Sequence, residues 1–164
     1  LKYGFTFHFF IYSILITSLI IVSFIDFKYR IIPNVISIPG IPLGLIASFF
    51  LNDVSFLSSL IGVILAVSIL GAVSYGYYLF TGSEGMGMGD IKLLAMLGAF
   101  LGWKSVPFII FFSSLTGTLV GLTVIFFMKK GRKYPIPFGP FLSLAGIVYL
   151  FFGDRLITLF LYLY

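Results

Sequence analysis

Polar residues fall in short clusters along this chain, and the stretches between them are almost wholly apolar. The clusters leave six hydrophobic runs, at about 5–25, 35–51, 56–80, 91–103, 106–128 and 138–152. A helix needs about 20 apolar residues to cross the hydrocarbon core. The pattern therefore predicts an all-α polytopic membrane bundle of about six transmembrane helices, spanning residues 1–164 as one membrane-embedded domain. The second run contains Pro39, Gly40 and Pro42, which predicts a kink near its start. The fourth run is short: at 1.5 Å per residue it reaches only about 20 Å. Protein, tilt or local thinning must cover its ends. Lys92, near its start, is placed to snorkel toward the headgroups. The tail 153–164 mixes Asp154 and Arg155 with Leu and Tyr, and is expected in the interface. The pairs Gly40/Gly44, Gly98/Gly102 and Gly117/Gly121 have the spacing of close helix contacts.

Composition sharpens this picture. The 164 residues are 60% hydrophobic and 9% charged, against roughly 45–50% and about 25% in soluble domains. That excludes a soluble enzyme, a disordered tail and a nucleic-acid module, and leaves membrane lipid as one partner. The absence of Cys excludes disulfides, thiolate zinc sites and a thiol nucleophile. The one His, His8, lies in the first apolar run and reads as interfacial, so no metal site is expected. Residues 1–25 lack the small-residue cleavage site of a signal peptide.

Charge sets the orientation. Seven of the ten basic residues fall in the segments 26–34, 81–92 and 129–137, which six spans place on one side. The positive-inside rule puts that side in the cytoplasm, and both ends of the chain then face outward. An outward start without a signal peptide calls for an earlier span, so Leu1 is expected to be an internal residue of a longer protein.

Five acids remain. By span parity Asp53 and Asp154 lie outside, and Asp26, Glu84 and Asp90 lie on the cytoplasmic side. Asp26 follows the first run, and Asp90 opens the fourth after three alternating glycines, Gly85, Gly87 and Gly89. Glycine admits unusual backbone conformations and close ligand approach, which suits a loop that takes an extended peptide. The spacing is not that of a dinucleotide loop, and no βαβ unit surrounds it. An ionisable group at the membrane edge is a functional candidate by default. Two aspartates brought close share a proton. The charged one can then take a proton from water while the neutral one donates to a carbonyl oxygen. Ser105 with Lys104 is the remaining nucleophile pair, but it lies on the outer side and adjacent residues diverge on a helix. A transporter or assembly subunit, binding an ion or proton at Asp26 and Asp90, is the alternative. Such proteins carry their acids nearer mid-bilayer.

Three segments now carry a pattern: Asp26-Phe27-Lys28-Tyr29-Arg30-Ile31-Ile32-Pro33-Asn34, Gly87-Met88-Gly89-Asp90-Ile91-Lys92, and Pro137-Phe138-Gly139-Pro140. In this order they resemble the motifs of the GxGD membrane aspartic proteases, specifically the type IV prepilin peptidases. The resemblance implies a bacterial inner-membrane endopeptidase with its active site facing the cytoplasm. Such an enzyme cuts basic leaders after a Gly from prepilins and from type II secretion pseudopilins. It implies Asp26 and Asp90 as the catalytic pair, and Gly87, Met88 and Gly89 as the loop presenting Asp90. Lys92, Glu84, Pro137 and Gly139 are candidates for substrate contact or site support. No cofactor is implied for the peptidase. Longer members also methylate the new N-terminus with S-adenosylmethionine, through an added region often bearing paired CxxC zinc motifs. This cysteine-free chain resembles the peptidase portion alone. Lipoprotein signal peptidases also use two Asp, but they act on the outer side, and their Asn- and Ala-rich signatures are absent.

Overall fold

The computed structural model of the chain describes residues 7–51, 53–83, 86–128 and 137–162. Six helices account for most of them: α1 (Phe7–Tyr29), α2 (Asn34–Ala47), α3 (Phe56–Thr81), α4 (Met88–Leu101), α5 (Ser105–Met128) and α6 (Gly139–Tyr162). No strand occurs among the described residues. Helices α1, α3 and α5 contain stretches long and apolar enough to cross a membrane, whereas the apolar stretches of α2 and α6 are shorter. Large apolar side chains such as Phe24, Phe27, Leu79 and Phe80 stand exposed on the bundle surface. In water such a surface would associate; in lipid it is simply solvated. The chain is an all-α membrane helical bundle.

The short fourth run forms the centre of that bundle. Every residue from 93 to 101 is buried, and α4 packs against α2, α3, α5 and α6. A helix that is apolar on all sides is a core helix. Its shortness is therefore met by surrounding protein, one of the outcomes its length predicts. Small residues let the neighbours close in. A Cβ built on Gly98 would lie 2.6 Å from the Gly62 carbonyl oxygen of α3, and one on Gly44 would lie 2.8 Å from the Cβ of Ala99. A Cβ on Gly40 would run into the Met96 side chain. The expected packing role holds for Gly40/Gly44 and for Gly98/Gly102. Gly117 differs: its nearest contact would be at an ordinary 3.5 Å, from Phe141.

One helix keeps its prolines and another outruns the pattern. α2 continues through Pro39 and Pro42, because packing against α4 outweighs the backbone bonds the prolines forgo. α6 does not stop near residue 152 but carries on to Tyr162, so most of the tail expected in the interface continues the sixth helix. Apolar residues on both sides of Asp154 and Arg155 sustain the helical run.

The turns order the two ends of the bundle. At one end Gly102, with φ +77°, closes α4, and the Trp103 N–H donates to the Ser58 carbonyl at 3.0 Å. Ser105 lies there, fully buried, its hydroxyl donating to the Gly102 carbonyl at 2.6 Å. That bond commits Ser105 to the turn. At the other end meet the C-terminus of α1 and the N-termini of α2, α4 and α6.

Candidate active site

Asp26 sits one turn before the end of α1. Arg30 closes the helix in a left-handed conformation, φ 57°, and its N–H donates to the Asp26 carbonyl at 2.8 Å. Residues 31–33 then cross to α2, whose first turn is set by Pro33: its carbonyl accepts from the N–H groups of Ile36 and Ser37, each at 3.1 Å. Ile32 in this crossing is buried and presses on the first turn of α4. A Cβ on Gly89 would lie 2.9 Å from the Ile32 Cβ. This contact brings the Asp26 segment against the Asp90 segment.

Only Gly87 of the expected presenting loop lies outside the helix; Met88 and Gly89 already belong to the first turn of α4. Gly87 has φ −70° and ψ 139°, ordinary extended backbone open to any residue. Gly87 and Gly89 do not supply unusual dihedrals, contrary to the sequence expectation. Gly89 is needed for closeness to Ile32, and a Cβ on Gly87 would meet Asp90 Oδ2 only at 3.6 Å. Gly85 and Glu84 lie outside the described residues.

The Asp26 side chain is buried, with 5% of its surface exposed. Its Oδ2 accepts a hydrogen bond from the Gly139 N–H at 2.9 Å. Gly139 is the first residue of α6, and Pro140 behind it has no N–H. Asp26 thus satisfies an otherwise orphaned donor at a helix start, where the helix dipole favours negative charge. A Cβ on Gly139 would stand 2.6 Å from Oδ2. The Pro-Phe-Gly-Pro segment is in this way a seat for the first aspartate.

Asp90, at the third position of α4, lies outside the membrane-crossing stretches. Burial pushes its carboxyl up, the charge of Asp26 pushes it further, and the Gly87 backbone N–H pulls it back. The balance leaves a pKa pushed up to about 7. The two aspartates, 64 positions apart in sequence, line one cavity of about 630 Å³. Pro137, Phe138 and Met86 also line it. Lys92 lies at the same rim, its Nζ donating to Asn34 Oδ1 at 2.9 Å. Sequence reasoning did not single out Asn34 or Arg30 as site residues. The available signal was position: both flank the crossing that follows Asp26.

The chain carries one His and no Cys, and no group of three metal-ligating side chains occurs among the described residues. The chemistry on offer is that of paired carboxylates.

A helical membrane bundle that draws two distant aspartates into one cavity has the build of a membrane aspartic peptidase. The chain belongs to the type IV leader peptidase family, which residues 13–122 match. It is 39% identical over 154 residues to the prepilin leader peptidase/N-methyltransferase of Pseudomonas aeruginosa, covering 94% of this chain and 53% of that protein. The like-named proteins of Stutzerimonas stutzeri and Legionella pneumophila are 40% identical over 139 residues and 37% over 160. Those alignments cover 85% and 95% of this chain, and 48% and 54% of the relatives. The chain spans about half the length of the curated relatives it matches. No solved structure matches it.

Proposed function

We propose that this chain is the peptidase unit that removes the basic leader from prepilins and type II secretion pseudopilins. It cuts after a Gly, at the cytoplasmic face of the bacterial inner membrane. The observation that carries the reading is the shared cavity of Asp26 and Asp90, each held at a helix end by a backbone N–H. The clustering of basic residues on the same side supports the cytoplasmic orientation.

The chemistry follows from two carboxyls close enough for the charge of one to raise the other. Asp26, seated on the Gly139 N–H, is assigned the base, because its charge is one of the causes that hold the Asp90 carboxyl up. Asp90 keeps its proton up to about pH 7. Asp26 takes a proton from water as the hydroxide oxygen attacks the scissile carbonyl carbon. Asp90 gives its proton to the carbonyl oxygen, so no oxyanion is left uncompensated. Collapse of the tetrahedral diol returns that proton to Asp90, and the proton on Asp26 passes to the leaving amine. No covalent intermediate and no cofactor enter the scheme. S-adenosylmethionine belongs to the methyltransferase half of the relatives' names, and methylation is not assigned to this chain.

The test is incubation with a synthetic prepilin in lipid, followed by mass measurement. The expected product is cut after Gly and carries no methyl group even with S-adenosylmethionine present. Asp26→Asn and Asp90→Asn should each reduce cleavage by at least about a thousandfold, since members of a catalytic unit fail together. Retained cleavage by either variant removes that residue from the mechanism.

A further inference from the structure

Two contacts join the crossing that follows Asp26 to the helix turn that carries Asp90. The inner one is apolar: buried Ile32 against Gly89. The outer one is polar. Lys92, three residues beyond Gly89, donates from Nζ to Oδ1 of Asn34, two residues beyond Ile32, at 2.9 Å. This bond joins residues 58 positions apart, and both of them line the cavity of the two aspartates. An ammonium group only donates, so the Asn34 carboxamide must turn its oxygen toward α4. Side chains two apart on a helix diverge, so Lys92 reaches for α2 and not for Asp90.

The place of this bond in the bundle gives it a task. Away from the cavity, α2 is keyed to α4 by Gly40 against Met96 and Gly44 against Ala99. The first turn of α4, with Asp90, precedes the buried run that begins at residue 93. Asp26 is seated separately, on the Gly139 N–H of α6. α1 and α2 hardly touch each other, and Arg30 turns the chain off α1 in the left-handed region, φ 57°, a strained conformation for a residue with a side chain. The contact at Ile32 is a pivot. A second attachment at the rim removes the rotation that a pivot permits.

We infer that Asn34 and Lys92 are positioning residues, a polar latch that holds the first turn of α4, and with it Asp90, at its working distance from Asp26. The inference rests on the leader-peptidase reading and adds what keeps its two acids together. With the latch open, the turn swings about Ile32 and Asp90 withdraws from Asp26. The influence of one carboxyl on the other reports that distance. The charged residues lining the cavity are Asp26 and Arg30 on the α1 side, and Asp90 and Lys92 on α4. Lys28 of α1 stands over the Tyr29 ring. α2, α3 and α5 carry no charged residue, and Asp154 and Arg155 of α6 lie about 22 Å along that helix from its start. Asp26 is thus the charge that raises Asp90, and withdrawal lets Asp90 ionise at lower pH.

The test compares Asn34→Leu and Lys92→Met with the parent chain on a synthetic prepilin in lipid. Each should lower kcat about tenfold and leave KM within about twofold. The double variant should fall no further, because either change opens the same latch. Lys92→Arg keeps a donor for Asn34 and should stay within about threefold of the parent. Lys104→Met, an exposed lysine lost at the opposite end of the bundle, should leave kcat unchanged. In Asn34→Leu, which alters no charge, the alkaline limb of kcat/KM should move to lower pH. A change that merely loosened the fold would scale the rate alike at every pH. Multiplied losses in the double variant, a raised KM with kcat kept, or an alkaline limb left in place each overturns the inference. The same shift is read without substrate, as the pH window over which melting temperature falls in detergent. A parent chain that does not cleave refutes the leader-peptidase reading, and the window then decides the latch by itself. Moved downward in Asn34→Leu, it supports the latch; unmoved, it overturns it.

Discussion

The two aspartates are treated unequally by their surroundings, and that inequality is measurable. Asp90 releases its proton near pH 7 in the folded protein, against 3.8 for the free side chain. Between these values the folded state holds more protons than the unfolded one, so stability falls as pH rises through that window. In Asp90→Asn the corresponding slope in thermal stability should disappear, read as melting temperature against pH in detergent. On the proposed mechanism cleavage should decline above about pH 7, as Asp90 loses the proton assigned to the carbonyl oxygen. A flat rate from pH 6 to 9 would contradict that role. The glycines divide just as sharply. Gly89→Ala forces the Ile32 crossing away from α4 and should lower cleavage by tenfold or more, whereas Gly87→Ala meets only ordinary contacts and should stay within about twofold. Comparing kcat/KM for the two variants decides it. The sequence marks these glycines only as a spaced set. That one is a contact and its neighbour merely a helix cap depends on Ile32, 57 positions away, and local spacing carries no such information.

Among the elements, the long apolar runs were the most legible. α1, α3 and α5 begin and end within a few residues of the pattern, because in lipid the hydrophobic run and the helix coincide. The overrun of α1 is instructive: the helix continues through Asp26 to Tyr29, since the carboxylate finds its partner on α6 and need not leave the helix. The continuation of α6 beyond residue 152 was not legible, because charged residues mark an end to hydropathy but not to helix formation. The centrality of α4 was half visible in its length. Which helices cover it depends on small residues facing each other across different elements. Gly98→Ala should therefore destabilise the bundle by about 1–3 kcal/mol through overpacking against Gly62. Gly117→Ala, with room for a methyl group, should be neutral or slightly stabilising. Unfolding of the two variants in mild detergent separates them.

For the whole molecule, the arrangement of helix ends is the central fact. Residues 30–34 and 86–92 border one cavity, while Gly102 and Ser58 meet at the other end, as the parity of the runs predicts. A cysteine at Ile31 and one at Lys104 should react with a membrane-impermeant maleimide from opposite sides of sealed vesicles, Ile31→Cys from the cytoplasmic side. Labelling of both from one side would break the topology. The burial of α4 carries a last consequence. Acyl chains bathe the outer helices, but from residue 93 onward the helix that carries Asp90 is covered by protein. Bilayer thickness strains the shell, while the depth of Asp90 is fixed by Gly62, Gly44 and their neighbours. On the proposed function the scissile bond is positioned by a ruler made of protein, and membranes of differing lipid length should present it to Asp90 at the same height.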